Sequence, residues 1–181
     1  MQATSTLPDH PAHSVQFFDT DEQLVEGVTG FVRRALESDC TCILVATGAH
    51  REAIDTRLDA CGLSPAACAA AYRYISLDAD QTLGGFMDES GPDPQRFHQS
   101  FGLLLRQASS RGQPVHVVGE MASMLIERGR TRDALRMEEL GNELSRYHTF
   151  TLLCVYQSAP FENDERRRAQ LCALHSHVIA T

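Results

Sequence analysis

The chain has 181 residues, 43% hydrophobic and 22% charged, with no tryptophan; that suits one globular domain with a sizeable core and excludes collagen-like, disordered and disulfide-scaffold classes. The formal net charge of -8 repels phosphate backbones, which argues against a grip on DNA or RNA by this chain. All 16 basic residues are arginine, so a Schiff-base lysine, a catalytic lysine and the lysine of a phosphate-binding P-loop are excluded.

The first twelve residues, Met1 to Ala12, have neither a basic n-region nor an apolar h-region; they are read as a loose tail, not a signal peptide. Ser14–Asp19 (SVQFFD) is an aromatic, β-branched run and predicts a strand. Thr20 with Gln23 three residues on forms a capping box, and Leu24, Val25, Val28, Phe31, Val32, Ala35 and Leu36 recur at helical spacing. Cys42–Ala46 (CILVA) is a continuous apolar run, as in a strand covered on both faces. A short helix from His50 to Cys61 stops at Gly62, and Tyr72–Leu77 predicts a third strand.

Gly84-Gly85 and an acidic loop, Asp88 to Asp93, come next. Asp93-Pro94 starts a helix with the buried stripe Phe97, Phe101, Leu104, Leu105 and Ala108. Pro114–Val118 predicts a fourth strand that runs through Gly119-Glu120-Met121 into a helix closed by Gly129. Thr131 opens another helix with Ala134, Leu135, Leu140, Leu144 and Tyr147 inward. Thr149–Tyr156 predicts a fifth strand, and a last helix runs from about Asn163 to His175. This alternation predicts an α/β fold of three layers, with a mostly parallel central sheet of at least five strands and helices on both faces.

Ligands of such sheets sit outside the carboxyl ends of the strands. That edge would gather Phe18 and Asp19, Thr47-Gly48, Glu120 and Tyr156-Gln157. Glu120 would put a carboxylate in the crevice, or else serve as an acid at a helix start; Asp19 adjoins the capping box and can be explained by it. No GxxxxGK[ST] loop and no GxSxG elbow occurs. The close pairs His175-x-His177 and Cys40-x-Cys42 lack zinc-site spacing. Cys154 lies inside an apolar strand, where a thiol is inert, and His116 and His148 read as core and loop residues. The expectations are therefore no catalytic residue, no metal and no cofactor. Cysteines 40, 42, 61, 68, 154 and 172 are expected to be reduced, in a cytoplasmic protein.

Four segments carry a resemblance. They are His13 before Phe17-Phe18-Asp19 with Asp21-Glu22, Gly84-Gly85 through Asp93-Pro94 and Phe97, Val118-Gly119-Glu120-Met121, and Glu138 to Leu144 followed by Phe150–Tyr156. In this order and spacing they resemble the MEDS domain, the sensory domain of methanogen and methylotroph signalling proteins and of the dichloromethane regulator, over about residues 13–161. The resemblance implies a degenerate RecA/KaiC-like fold without the phosphate loop, and a sensory role toward small hydrocarbon-like ligands. In that family a helix-turn-helix or histidine kinase usually accompanies the domain. Here about 20 residues follow Phe161. Output is therefore expected through a separate signalling partner, such as a histidine kinase or transcription regulator, or through self-association as a homodimer, with no membrane contact.

The reading is a non-enzymatic sensory module whose small ligand contacts His13, Phe18, Asp19, Glu120, Asn142 and Tyr156, the crevice being lined chiefly by Phe18, Glu120 and Tyr156. The segment 163–181, expected to be a helix, packs on the domain or serves a partner. The alternatives are an interaction module whose crevice is filled by side chains, and an acid–base enzyme using Glu120 with His13 or His148.

Overall fold

Continuous β-branched runs need cover on both faces, and the chain supplies it with helices between successive strands. The computed structural model describes residues 12–180. Its sheet is built from β1 (His13–Phe18), β2 (Thr41–Ala46), β3 (Tyr74–Asp78), β6 (Val115–Gly119), β7 (Thr151–Gln157) and β8 (His177–Ile179). These strands lie in the order β3-β2-β6-β7-β1-β8, and every pairing among them is parallel. A small antiparallel pair, β4 (Met87–Asp88) and β5 (Gly91–Pro92), stands apart.

One face of the sheet carries α1 (Asp21–Glu37), α2 (Gly48–Ala60) and α3 (Pro65–Ala70), whose apolar residues join Phe18, Leu44, Val118 and Val155 in one core. The opposite face carries α4 (Ala79–Gly84), α5 (Pro94–Ala108), α6 (Met121–Glu127), α7 (Thr131–Leu144) and α8 (Glu165–Cys172), packed on Val15, Phe17, Val117, Cys154 and Tyr156. Strand alternation thus sends Phe17 and Phe18 into different cores. On the α1 side the fit is tight: a Cβ on Gly27 would stand 2.7 and 2.9 Å from ring carbons of Phe18. No helix among the described residues is long and apolar enough to cross a membrane.

Caps follow the sequence. Thr20 accepts from the Gln23 N–H at 3.2 Å, and Asp93 accepts from the N–H groups of Gln95 and Arg96. The third strand starts at Tyr74, not Tyr72, because Tyr72 takes a left-handed φ of 55° in the turn after α3. Segment 163–181 departs from the expected helix. Helix α8 ends at Cys172, and His177–Ile179 pairs with Ser14–Gln16 as a sixth strand. The apolar Val178 and Ile179 belong to that edge strand. Of α7's expected inward residues, Ala134, Leu140 and Leu144 are buried, Leu135 is half-buried and Tyr147 is 78% exposed. The tail expected over 1–12 lies outside the described residues except for Ala12, whose carbonyl accepts from the Leu152 N–H at 2.8 Å.

Candidate functional site

At the carboxyl edge, β6 delivers Glu120 directly after Gly119, and the residue is 4% exposed. It turns toward the start of α2, where free backbone N–H groups favour an anion. Its Oε2 accepts from the Thr47 N–H at 2.8 Å, and its Oε1 lies 2.7 Å from His50 Nδ1. The place where a helix of this kind would receive a phosphate is therefore held by the protein's own carboxylate. The hydrogen bond that Glu120 accepts from His50 raises the His50 pKa above its ordinary value against the opposing effect of burial. The far side of the ring, Nε2, is 3.6 Å from the exposed Asp21. Glu120 thus meets a histidine, but it is His50, neither of the two expected.

The crevice expected from Phe18, Glu120 and Tyr156 does not form. Phe18 is 2% exposed in the α1-side core, and Tyr156 faces α7 on the other side of the sheet. Asp19 is exposed, its N–H donating to Gln23 Oε1 at 3.1 Å. The structure instead brings His13 and Tyr156 onto Glu138, a residue that stands out in the sequence only as part of the segment Glu138 to Leu144, with Asn142 behind His13.

Glu138 sits mid-way along α7, 2% exposed, on the stripe that meets the sheet. Tyr156 Oη donates to its Oε1. Its Oε2 is approached by His13 Nε2 at 3.0 Å and Cys154 Sγ at 3.2 Å. His175, from the turn between α8 and β8, brings Nε2 to 3.3 Å from the same oxygen without hydrogen-bond alignment, and this buried nitrogen has no other partner. The rings of His13 and His175 lie 4.1 Å apart. Asn142 Nδ2 donates to the Leu174 carbonyl at 2.8 Å, so its Oδ1 is the atom facing His13 Nδ1 at 3.0 Å.

Burial pushes the Glu138 carboxyl up, but the hydrogen bond with His13 and the closeness of the His13 and His175 rings hold it well below the ordinary carboxylate range. Burial lowers the His13 pKa, and Glu138 and Asn142 more than reverse that. The Cys154 thiol and Tyr156 phenol are pushed well above their ordinary values, first by burial and then by the Glu138 charge. His13, Glu138, Cys154 and His175 are the one set of metal-capable donors that converges among the described residues.

Beside this cluster the helix layer leaves a cavity of about 60 Å³ over β2, β6 and β7. Its walls are almost wholly apolar, including Phe97, Phe101, Val117, Met137 and Leu152, with Glu138 and Cys154 also in the lining. The cavity lies on a face of the sheet, under α5, α6 and α7, rather than outside the strand ends, and Glu120 does not line it. An outer polar groove of about 340 Å³, lined by His13, Asn142, His148 and Ser176, shares Gly141, Phe150 and Leu152 with the cavity wall.

A family model described as MEthanogen/methylotroph, DcmR Sensory domain (MEDS) matches residues 12–176. No curated protein matches the chain.

Proposed function

The chain belongs to the MEDS family of sensory domains, and we propose that it senses a small, mainly apolar molecule in the cavity under α5 and α7. The observation that carries this reading is an apolar pocket of about 60 Å³ whose lining also includes a buried carboxylate, Glu138, and a buried thiol, Cys154. Apolar walls supply affinity, and a few buried polar groups fix orientation. The volume is well under the roughly 150 Å³ of an apolar cavity that accepts benzene, which suits a compound of one to three carbons. Engaging that space moves α5 and α7 relative to the sheet. The ligand's preference for one packing over another biases the surface offered to a signalling partner, such as a histidine kinase or transcription regulator, or to a second copy. The domain acts without catalysis: Glu120 is committed to Thr47 and His50, and Glu138 to His13, Cys154 and Tyr156.

The test is a thermal-shift and calorimetric screen of one- to three-carbon alcohols, halides and amines against wild type and Ala122→Leu, which fills the cavity from α6. The expected result is stabilisation of wild type by at least one compound, rising with concentration as mass action requires, and its loss in the filled variant. No stabilisation by any of them, or an equal response in Ala122→Leu, rejects the reading.

A further inference from the structure

We propose that His13, Glu138, Cys154 and His175 form a tetrahedral site for a divalent transition-metal ion of the zinc type. Their four donor atoms lie within 4.8 Å of one another. The shorter separations, 3.0 Å from Glu138 to His13, 3.2 Å from Glu138 to Cys154 and 3.3 Å from His13 to Cys154, approach the edge of such a tetrahedron. That edge is about 3.3–3.8 Å when zinc bonds N and O at about 2.0–2.1 Å and S at about 2.3 Å.

The hydrogen bonds behind the ligands decide between a polar core cluster and a metal site. The Leu171 carbonyl accepts from His175 Nδ1 at 2.8 Å, and Asn142 Oδ1 accepts from His13 Nδ1. In a neutral imidazole this leaves both Nε2 atoms with lone pairs, and both point at one carboxylate oxygen. Without a metal ion only a protonated His13 can donate to Glu138, and His175 Nε2, out of hydrogen-bond alignment, stays unpartnered at 0% side-chain exposure. Two neutral imidazoles, one carboxylate and one thiolate sum to a charge of about −2, which a divalent ion neutralises in a place too dry to carry net charge. Binding releases the Cys154 thiol proton, as any thiolate site requires. Carbonyl-held histidines and a carboxylate whose second oxygen takes the Tyr156 hydroxyl are the usual outer support of such ligands.

Four protein donors close the coordination shell, so the ion works as a staple. It ties β1, β7 and α7 to the α8–β8 turn, and β8 is the edge strand that this turn positions. The site stands whether or not the neighbouring cavity holds a ligand.

The experiment uses the full chain, stripped with a chelator and titrated with Zn²⁺ and Co²⁺. One ion per chain is expected by elemental analysis. The Co²⁺ form should show the intense ligand-field bands of a tetrahedral site and an ultraviolet thiolate-to-cobalt band. Cys154→Ser should abolish the thiolate band, and Asn142→Ala, behind His13, should weaken affinity about 10–100-fold. Metal removal should raise amide exchange in residues 171–179 selectively. If Cys154→Ser does not fold, the wild-type thiolate band and the Asn142→Ala affinity decide alone. No stoichiometric ion, octahedral Co²⁺ spectra, or a site untouched by these changes overturns the proposal.

Discussion

Two buried glutamates, Glu120 and Glu138, each face a histidine, and they differ in how many neighbours each oxygen must serve. Glu120 gives one oxygen to the Thr47 N–H and the other to His50, at the start of a helix and beside solvent-exposed Asp21. Each of its oxygens has one donor, and the pair is complete. Glu138 gives one oxygen to Tyr156 and crowds two histidines and a thiol around the other, on the buried face of α7. A satisfied pair is a structural device; a crowded one asks for something more at its centre.

The largest effect should come from Glu138→Ala. Removing the acceptor strands His13, Cys154 and Tyr156 in a low-dielectric interior, and breaking a buried pair of this kind costs about 3–5 kcal/mol. Urea unfolding of the metal-free chain checks this, and a cost under about 1 kcal/mol would show that these donors find other partners. Glu120→Ala should cost less, about 1–3 kcal/mol, because Thr47 and His50 lie close enough to the surface for water to replace the carboxylate in part. Equal losses at the two sites would erase the distinction drawn between them.

The pH dependence separates the sites further. The folded pKa of His50 is raised above its ordinary 6.5 by Glu120. Its ion pair therefore contributes fully below the unfolded value and is lost as pH rises through the folded one. The gap in urea midpoint between wild type and His50→Gln should shrink as pH rises from about 5.5 to about 8.5. A gap that widens over that interval has the wrong sign for a Glu120–His50 pair.

The fold was legible because its elements carry local signals. A continuous apolar run marked β2, an aromatic and β-branched run marked β1, and the Thr20 box and Asp93-Pro94 marked helix starts at the right residues. Segment 163–181 misled because its spaced apolar residues satisfy a helix and an edge strand alike. Glu120 was legible as a residue of the carboxyl edge, but its partner was not, since His50 meets it only after α2 docks. The Glu138 site was the harder case. Its members lie at 13, 138, 154 and 175, so no spacing rule applies, and Cys154 and His175 each read as unremarkable alone. One signal was available: Glu138 lies on the α7 stripe of Ala134, Met137, Gly141 and Leu144, and a carboxylate on a buried stripe needs partners from elsewhere in the chain.

The smallest effect isolates the outer limb of the His50 pair. Asp21 approaches His50 Nε2 at 3.6 Å, but its side chain is 77% exposed and also accepts from Gln157 Nε2 at 2.5 Å. Exposed ion pairs contribute little, because water screens them and the side chain loses freedom in making them. Asp21 also sits in the first turn of α1, where an acid helps the helix whether or not His50 is near. Asp21→Asn should therefore cost under about 1 kcal/mol, and most of that should remain in a His50→Gln background. The double-mutant cycle reads this directly. Coupling between Asp21 and His50 should stay below about 0.5 kcal/mol, whereas the cycle on Glu120 and His50 should exceed about 1 kcal/mol. A strong Asp21 coupling would mean that His50 is held from both sides, making the carboxyl edge a three-membered network as crowded as the one around Glu138.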